Sequence, residues 1–361
     1  MPKQPILIKG MRSILPIIMV CLLVSLNACK EKSLGDSFQD FFKEARILSL
    51  EKIPFEPAES SPFFSNMFIL GYIDSVIVVN ELLDSDYTFK LIDLKSGRVK
   101  KFGKRGEGPN ELLSDGGYFL LDHENNQLII GDGYFNYVYK VEELFDENVL
   151  PIESFRFETG DDRLMGHRVM ANGSVFGSSY LKRFASYDIS ESTFDTYEDY
   201  PGGESQALAH QAYFLAHPTE FRIAYGMRSF PEFGIISEEN DQMEIKKWNW
   251  GDVNSKVEES SDGTRASLGS PEDKLHFFST AGGNKSVFFL HSGAKLRYPD
   301  GRVRREGLLT DKVYQLDWKG NPIAVLNLGQ EVKAIAVDPE ENYLYASTGS
   351  ANPELLIFKL P

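Results

Sequence analysis

A short unit recurs along the chain: a polar turn followed by an apolar strand that ends in small residues or glycine. In the first copy, Asp74 and Ser75 precede the apolar residues 76–79, and in the second, Asn125 and Asn126 precede residues 128–131. The six turns lie at Asp74, Asn126, Gly173, Thr219, Lys285 and Asn342. Their spacing is slightly longer than the roughly 40–50 residues of a propeller blade. Hydrophobic residues otherwise alternate over short runs without long amphipathic helical patterns, which predicts an all-β chain.

The number of units predicts a six-bladed β-propeller over residues 43–361, because four-stranded blades around a channel leave only short, protected edges. A pair of two-sheet sandwiches with coincidental turns is the alternative. The last unit has too few strands for a complete blade, while the alternating segment 46–53 belongs to no unit. We therefore expect this N-terminal strand to complete the last blade and close the ring. Residues 251–273, rich in serine, glycine and acids, are expected to be a loop inserted between strands.

The N-terminus has the pattern of an export signal. Lys3, Lys9 and Arg12 precede an apolar run over residues 14–26, which is short for a membrane span. The run ends in Leu-Asn-Ala-Cys at Cys29, which resembles the lipobox of bacterial lipoproteins. The resemblance implies a signal peptide over residues 1–28, a diacylglyceryl group on the Cys29 thiol and a lipid-anchored tether over residues 29–42. An uncleaved anchor or an ordinary secretory signal is the alternative.

Composition restricts the compartment and the partners. The only two cysteines, Cys21 and Cys29, fall in the N-terminal segment, so the predicted propeller has no disulfide available and relies on core packing. A formal charge of −15 disfavours nucleic acid as a partner, because phosphates need a basic surface. An acidic domain is also repelled by anionic lipid, so the anchor, not the surface, would hold it to the membrane. We expect the protein to be located in the cell envelope, at the outer membrane. Both the periplasmic face and the surface face of that membrane are compatible with the sequence.

The most distinctive stretch is a glycine-rich turn over residues 102–111. It resembles the Phe-Gly-x-x-Gly-x-Gly-Pro-x-Glu segment of the six-bladed, TolB-like propeller lipoproteins of anaerobic Gram-negative bacteria. The resemblance implies this fold for essentially the whole mature chain and assigns no activity. The turn is either an anion-binding nest of backbone N–H groups or a structural crossover between the first two blades. Its candidate residues are Gly103, Lys104, Arg105, Gly106, Gly108, Pro109 and Glu111.

Other chemically capable residues form no convincing catalytic pattern. The six histidines lack the helix spacing of zinc proteases, and no nucleophile-elbow motif is present. Acidic pairs occur at Asp161-Asp162, Asp195/Asp199 and Glu238-Glu239/Asp241, and such carboxylates at a channel mouth could hold Ca²⁺. The aromatic residues Trp248, Trp250, Tyr134, Phe135 and Tyr137 either stack on sugars or peptides at a rim or pack between blades. We therefore assign no catalytic residue, no metal ligand and no cofactor, and leave Ca²⁺ open.

These observations favour a non-catalytic binding or scaffold module for a protein, peptide or glycan partner in the envelope. The alternative is a metal-dependent lactonase, hydrolase or lyase with carboxylates and histidines at the channel mouth. Propellers host both classes, so the fold alone does not decide. A cluster of three or more Asp, Glu, Asn or His side chains at the mouth would favour the enzyme. An apolar or basic channel would favour the binding module.

Overall fold

The computed structural model describes residues 32–33, 37–55, 67–81, 84–108, 110–113, 117–133, 135–160, 162–201, 207, 209–239, 242–251, 257–259, 266–268, 274–295, 297–298, 300, 302, 304–350 and 352–361. The predicted signal segment and Cys29 lie outside these residues. The first elements are β1 (Lys32–Ser33), α1 (Phe38–Phe41), β2 (Arg46–Ser49) and β3 (Lys52–Ile53). Within the described residues, none of the helices has the length and hydropathy needed to cross a membrane.

Four separate sheets follow, each with four antiparallel strands in chain order. The first contains β4 (Met67–Ile73), β5 (Val76–Glu81), β6 (Tyr87–Asp93) and β7 (Val99–Lys104). The second contains β8 (Tyr118–Asp122), β9 (Gln127–Gly131), β10 (Asn136–Lys140) and β11 (Glu153–Phe155), with a 3-10 helix at Val141–Glu143. The third contains β12 (Leu164–Val169), β13 (Val175–Ser179), β14 (Phe184–Asp188) and β15 (Thr193–Tyr197). The fourth contains β16 (Ala212–Ala216), β17 (Arg222–Met227), β18 (Glu232–Glu239) and β19 (Gln242–Asn249), and β1 pairs in parallel with β19.

The remaining long strands form one eight-stranded sheet, in the order β22-β23-β24-β25-β26-β27-β3 with β2 on β25. Its members are β22 (Phe277–Gly282), β23 (Ser286–His291), β24 (Thr310–Asp317), β25 (Pro322–Val337), β26 (Tyr343–Thr348) and β27 (Leu355–Lys359), with a 3-10 helix at Arg305–Leu308. The 16-residue strand β25 pairs with β24 through its first half and with β26 through its second half. The prediction of six separate blades is therefore not confirmed as such: the described residues form four separate sheets and this larger one.

The predicted turns follow from local backbone chemistry. Asp74 and Ser75, which join β4 to β5, have φ values of 40° and 65°, as a two-residue hairpin turn requires. Asn126, between β8 and β9, has φ 53°, and Gly173, between β12 and β13, has φ 79°. Asn, Asp and Gly are the residues that enter this left-handed region most readily. The repeated turns thus correspond to hairpins between the first and second strands of successive sheets.

The first strands of the sheets surround a central channel. Neighbouring contacts run from β4 to β8, β12, β16, β22, the second half of β25 and back to β4. This closed ring of sheets is a β-propeller, and the prediction of an all-β propeller is confirmed at that level. The hydrophobic core lies between adjacent sheets, as where Phe102 of the first sheet meets Tyr139 of the second at a ring-centroid distance of 4.9 Å.

The N-terminal segment joins the sheet formed by the end of the chain, but through two different strands. Lys52–Ile53 pairs antiparallel with β27, with Ile53 opposite Ile357. Arg46–Ser49 instead pairs in parallel with the first half of β25, with Ile47 opposite Val325. We predicted one strand over residues 46–53. It divides where the chain passes from one partner strand to the other: the Leu50 N–H donates to the Asn327 carbonyl oxygen of β25 at 3.0 Å, whereas the Glu51 carbonyl oxygen accepts the Lys359 N–H of β27 at 3.3 Å.

Helix α1 packs into the core, although we assigned residues 29–42 to a tether. Ser37 caps the helix by accepting a hydrogen bond from the Asp40 N–H at 3.3 Å. Phe38 is fully buried, and Phe42 is 4% exposed. Both pack between the fourth and the eight-stranded sheets, so packed structure begins before the predicted boundary at residue 43.

Only part of the predicted 251–273 loop is described. Within it, β20 (Val257–Glu259) and β21 (Ala266–Leu268) form a two-stranded hairpin separate from the other sheets. The segment thus interrupts the strand sequence between β19 and β22, as an insertion would.

Candidate functional site

The strongest candidate site is the central channel, a cavity of about 460 Å³. Most of its lining residues belong to β4, β8, β12, β16, β22 and β25 or follow these strands, and Asn80, Ser178, Gln211 and Arg228 also line it. The volume lies within the range of small-molecule sites, roughly 300–1,000 Å³. Apolar side chains make up much of the wall, including Leu70, Phe119, Leu121, Met165, Leu215 and Ile335.

Two arginines, Arg168 and Arg228, are the basic side chains of the channel wall besides its histidines. Among the described residues of the lining, Glu124 is the one carboxylate, and it is an exposed residue that follows β8. Among the described residues, no carboxylate lies within ion-pair distance of either guanidinium. The channel wall is therefore apolar and basic, in a chain whose overall charge is negative.

A β-bulge in β12 positions Arg168. Met165 pairs with Ser178 and Arg168 with Phe176, so Gly166 and His167 form the irregularity between them. Gly166 has φ 61°, and a Cβ on Gly177 would lie 2.6 Å from the Met165 carbonyl oxygen. Bulges of this kind change the direction of a side chain beside a site. Two glycines thus permit the local geometry that sets Arg168 on the channel wall.

The guanidinium of Arg168 is held on one side by its own strand. Its Nη1 donates to the carbonyl oxygen of His167 at 2.7 Å and approaches that of Gly166 at 3.4 Å. Burial among apolar groups lowers the pKa of Arg168 to about 10, and the Tyr213 hydroxyl opposes that shift. The arginine remains charged at neutral pH, but its surroundings disfavour the charge.

Tyr213 of β16 links the two arginines electrostatically. Burial raises the pKa of its hydroxyl, while the positive charges of Arg228 and then Arg168 lower it. Arg228 follows β17, and its backbone N–H donates to the Gln211 carbonyl oxygen at 2.9 Å, which holds it beside the start of β16. Tyr213 therefore stays protonated at neutral pH and can donate a hydrogen bond.

Two of the channel histidines, His167 and His217, differ in their hydrogen bonding. Burial lowers the pKa of His167 to about 3, and neither ring nitrogen has a hydrogen-bond partner among the described residues. His217 accepts the backbone N–H groups of Thr219 and Glu220 at Nδ1, at 3.1 and 3.0 Å, and its Nε2 lies 3.1 Å from the Asn284 carbonyl oxygen. Throughout the described part of the chain, no three His, Cys, Asp or Glu side chains are grouped so as to hold a metal ion.

The predicted glycine-rich turn lies away from the channel lining, and its own glutamate occupies it. Glu111 accepts the Gly108 N–H at 2.9 Å through Oε2, and its Oε1 lies 2.6 Å from the Lys104 ammonium. The pairing lowers the pKa of Glu111 and raises that of Lys104. Gly106 has φ 156°, a conformation that L side chains rarely adopt, and a Cβ there would lie 2.0 Å from Glu111 Oε2, so a side chain at this position would also displace the carboxylate. An external anion would have to displace Glu111.

The other residues of the turn are held within the first two sheets. Gly103 has φ 66°, and Arg105 donates from Nε to Thr88 Oγ1 at 3.1 Å. The Leu112 N–H donates to the Lys104 carbonyl oxygen at 2.8 Å, which closes the loop. Pro109 lies outside the described residues.

The described members of the predicted acidic pairs do not form a cluster that could hold a metal ion. Asp162 accepts the N–H groups of Arg163 and Tyr180, and Asp199 pairs with Lys182. Asp195 pairs along the β14–β15 ladder, and Glu238 is on β18. Asp161 and Asp241 lie outside the described residues.

The predicted aromatic residues pack or stack with protein groups. Trp248 stacks on Phe233 at 5.0 Å, and Trp250 lies 5.1 Å from Phe38. Phe135 stacks on Tyr137 at 6.1 Å, while the Arg156 guanidinium lies 3.9 Å from the Phe135 ring centre. Tyr134 lies outside the described residues. None of these side chains lines the channel.

Sequence reasoning did not identify Arg168, Tyr213 or Arg228. The available signal was a glycine in an otherwise strand-like run, Met165-Gly166-His167-Arg168, which is typical of a bulge or a close backbone approach. That signal marks one position and does not show that the other two residues share a cavity with it.

Comparison with known proteins supports the fold. No protein-family model matches the chain, and no curated protein sequence does. A crystal structure of a DUF4221 family member from Bacteroides vulgatus is 11% identical, with a TM-score of 0.54 over 86% of this chain and 97% of that one. A luciferin-regenerating enzyme is 6% identical, with a TM-score of 0.47 over 82% and 92% of the two chains. The Neurospora crassa Pan2 WD40 domain is 10% identical, with a TM-score of 0.45 over 81% and 89%. The first of these likenesses supports the β-propeller fold and carries no activity over; a TolB-like family is not confirmed.

Proposed function

We propose that this protein is a lipid-anchored β-propeller of the cell envelope that binds a protein, peptide or glycan partner without catalysis. The observation that carries the proposal is the central channel, which is roomy, largely apolar and basic. Neither a nucleophile–base pair nor a metal-ligand cluster appears in the described part of its wall. A rigid channel with a few polar groups is typical of a binding site.

We further propose that the ring has six blades. The eight-stranded sheet counts as two, because β25 is the outermost strand of one four-stranded unit and the innermost strand of the next. In support, the channel is surrounded by five separate first strands and the second half of β25. Lys52–Ile53 then supplies the outer strand of the last blade.

The proposed anchor is the diacylglyceryl-modified Cys29. It is supported by the lipobox-like sequence Leu-Asn-Ala-Cys and by the basic and apolar segments before it. We expect Cys29→Ser to move the full-length chain from the membrane fraction to the soluble envelope fraction. Mass spectrometry of the mature N-terminus tests the modification itself. An unmodified Cys29 in the wild-type protein would contradict the anchor and leave the channel proposal in place.

The binding role is tested on the purified mature domain with peptide and glycan arrays. Gln211 lines the channel at the start of β16, and Gln211→Trp would obstruct it. Tyr343→Trp, at an exposed position on β26, is the matched control. We expect array binding to be lost in the first variant and kept in the second. Equal binding by both would exclude the channel as the site.

Metal analysis and thermal melts before and after chelation test the enzyme alternative. We expect no stoichiometric divalent ion and an unchanged melt. A bound ion whose removal lowers the melting temperature would overturn the non-catalytic proposal and favour a metal-dependent enzyme.

A further inference from the structure

The arginines of the channel differ from other arginines of the protein in having no carboxylate partner among the described residues. The buried Arg183 contacts Glu232, and the more exposed Arg222 lies 3.1 Å from Glu220. By contrast, Arg168 and Arg228 share one cavity and have no carboxylate within ion-pair distance among the described residues. Both arginines are half-buried, and a bound anion would offset the cost of keeping these cations in a largely apolar cavity.

The single acid of the lining does not neutralise them. Glu124 follows the end of β8, whereas Arg228 lies beside the start of β16. The first strands of propeller blades run in the same direction, so these positions lie toward opposite ends of the channel. Arg168, the fifth of the six residues of β12, lies farther along the channel than Arg228, but Glu124 is within ion-pair distance of neither guanidinium among the described residues. Both arginines can therefore receive a negative group from a ligand.

From this geometry we infer that the channel binds an organic acid, with its anionic group on Arg168, Arg228 and the Tyr213 hydroxyl and its apolar body against the wall. Arginine offers paired N–H donors that match a carboxylate or a sulfonate. The protonated Tyr213 supplies a further donor. Leu70, Phe119 and Met165 are among the apolar residues that would contact the body of the ligand. The inference rests on the proposed binding function and names the chemical class of its ligand, either a free acid or the C-terminal carboxylate of a peptide.

The test uses two fluorescent probes that differ in charge. 8-Anilinonaphthalene-1-sulfonate carries an anionic group on an apolar body, and N-phenyl-1-naphthylamine is its neutral counterpart. We expect the sulfonate to bind the purified mature domain with 1:1 stoichiometry, and Arg168→Gln or Arg228→Gln to weaken it about tenfold or more. The affinity for the neutral probe should change less than twofold.

Three further variants keep the result interpretable. Arg222→Gln lies at the opposite end of β17 from Arg228, outside the channel, and should leave both probes unaffected. Arg168→Lys retains the charge and tests the paired-donor geometry if Arg168→Gln fails to fold. Tyr213→Phe removes the hydroxyl alone and should weaken the sulfonate selectively. Thermal melts of every variant separate lost binding from lost folding.

Competition identifies the source of the anionic group. We expect 4-phenylbutyrate or N-acetyl-Leu-Phe with a free C-terminus to displace the sulfonate probe, and the corresponding amides to fail. Displacement by the peptide acid alone would assign the site to peptide C-termini, within the same chemistry. Equal displacement by acids and amides, or equal sulfonate affinity in the arginine variants, would overturn the inference. If the neutral probe alone binds in the channel, the binding function stands without anion selection; if neither probe binds, the channel loses its proposed function as well.

Discussion

Removing the Phe38 side chain tests whether the N-terminal helix is part of the cooperative fold. The ring is fully buried, and its centroid lies 4.5 to 5.9 Å from six aromatic rings. These belong to Phe42, Phe233, Trp250, Phe277, His291 and Tyr314. They come from α1, the fourth sheet and the eight-stranded sheet, so Phe38 joins three parts of the structure.

The expected loss follows from the burial. Phe-to-Ala substitutions in well-packed cores cost about 3–5 kcal/mol, because lost transfer free energy and the remaining cavity both contribute. The aromatic contacts do not add further independent terms, since the rings share neighbours. The loss also cannot exceed the free energy of detaching α1 altogether. We therefore expect Phe38→Ala to lower the unfolding free energy by about 3 kcal/mol, at the lower end of that range.

Urea denaturation followed by tryptophan fluorescence measures this loss, and Trp250, 5.1 Å from Phe38, reports on the site. Phe41→Ala is the control, because Phe41 belongs to the same helix but is only half-buried; we expect it to cost about 1–2 kcal/mol. A change below about 1 kcal/mol in Phe38→Ala, with unaltered native fluorescence, would refute the reasoning. It would show that α1 docks without contributing to global stability.

Three other predictions concern buried charge and close packing. Burial lowers the pKa of His276 in the folded state to about 4, below its value of about 6.5 when unfolded, so the unfolded state binds more protons between these values. Stability should fall as pH drops from 6.5 toward 4, and this histidine should contribute up to about 1.4 kcal/mol per pH unit to the fall. Because burial also lowers the pKa of the other five histidines, His276→Gln should reduce, not abolish, the slope of urea midpoints measured against pH. Arg183→Met should cost about 3–5 kcal/mol by leaving the buried Glu232 without its cation. Calorimetry of Arg183→Met combined with Glu232→Leu should show part of that loss restored, because the second change removes the buried charge but also the acceptor of the Tyr225 hydroxyl. Equal losses in the single and double variants would contradict this account. Gly106→Ala should lower the unfolding free energy by about 1–3 kcal/mol through its clash with Glu111. In a Glu111→Ala background the same change should cost less, as thermal melts would show. An undiminished cost would show that the backbone conformation of Gly106, not the clash, requires glycine.

The hairpin turns could be predicted from the sequence because their chemistry is local. Asp74 and Asn126 are residue types that tolerate positive φ, and the strands beside them are short apolar runs. The continuity of β25 could not be predicted in the same way. Gly329, with φ 65°, lies between its two halves and has the sequence signature of a break between strands. The two halves of β25 form one continuous strand because they pair with β24 and β26, not because of the local sequence.

The candidate site could not be predicted from the sequence for a related reason. Arg168 and Arg228 belong to different sheets, and their shared cavity arises only when the ring closes. The glycine-rich turn could be recognised in the sequence because its residues are contiguous. Its geometry shows a local requirement instead, since Glu111 folds back onto Gly106 and Gly108.

Pairing of the N-terminal strands with β25 and β27 also sets an order on folding. Ile47 and Ile53 are synthesised long before their partners Val325 and Ile357, so their strand edges have no native partner during most of translation. Contacts at such sequence separation form slowly, because a large loop must close first. The separate sheets can assemble in sequence as they emerge, but the ring must wait for β27. Chains interrupted before that strand would expose β-edges of the kind that aggregate, so the demand for chaperone protection is greatest while the ring is still open.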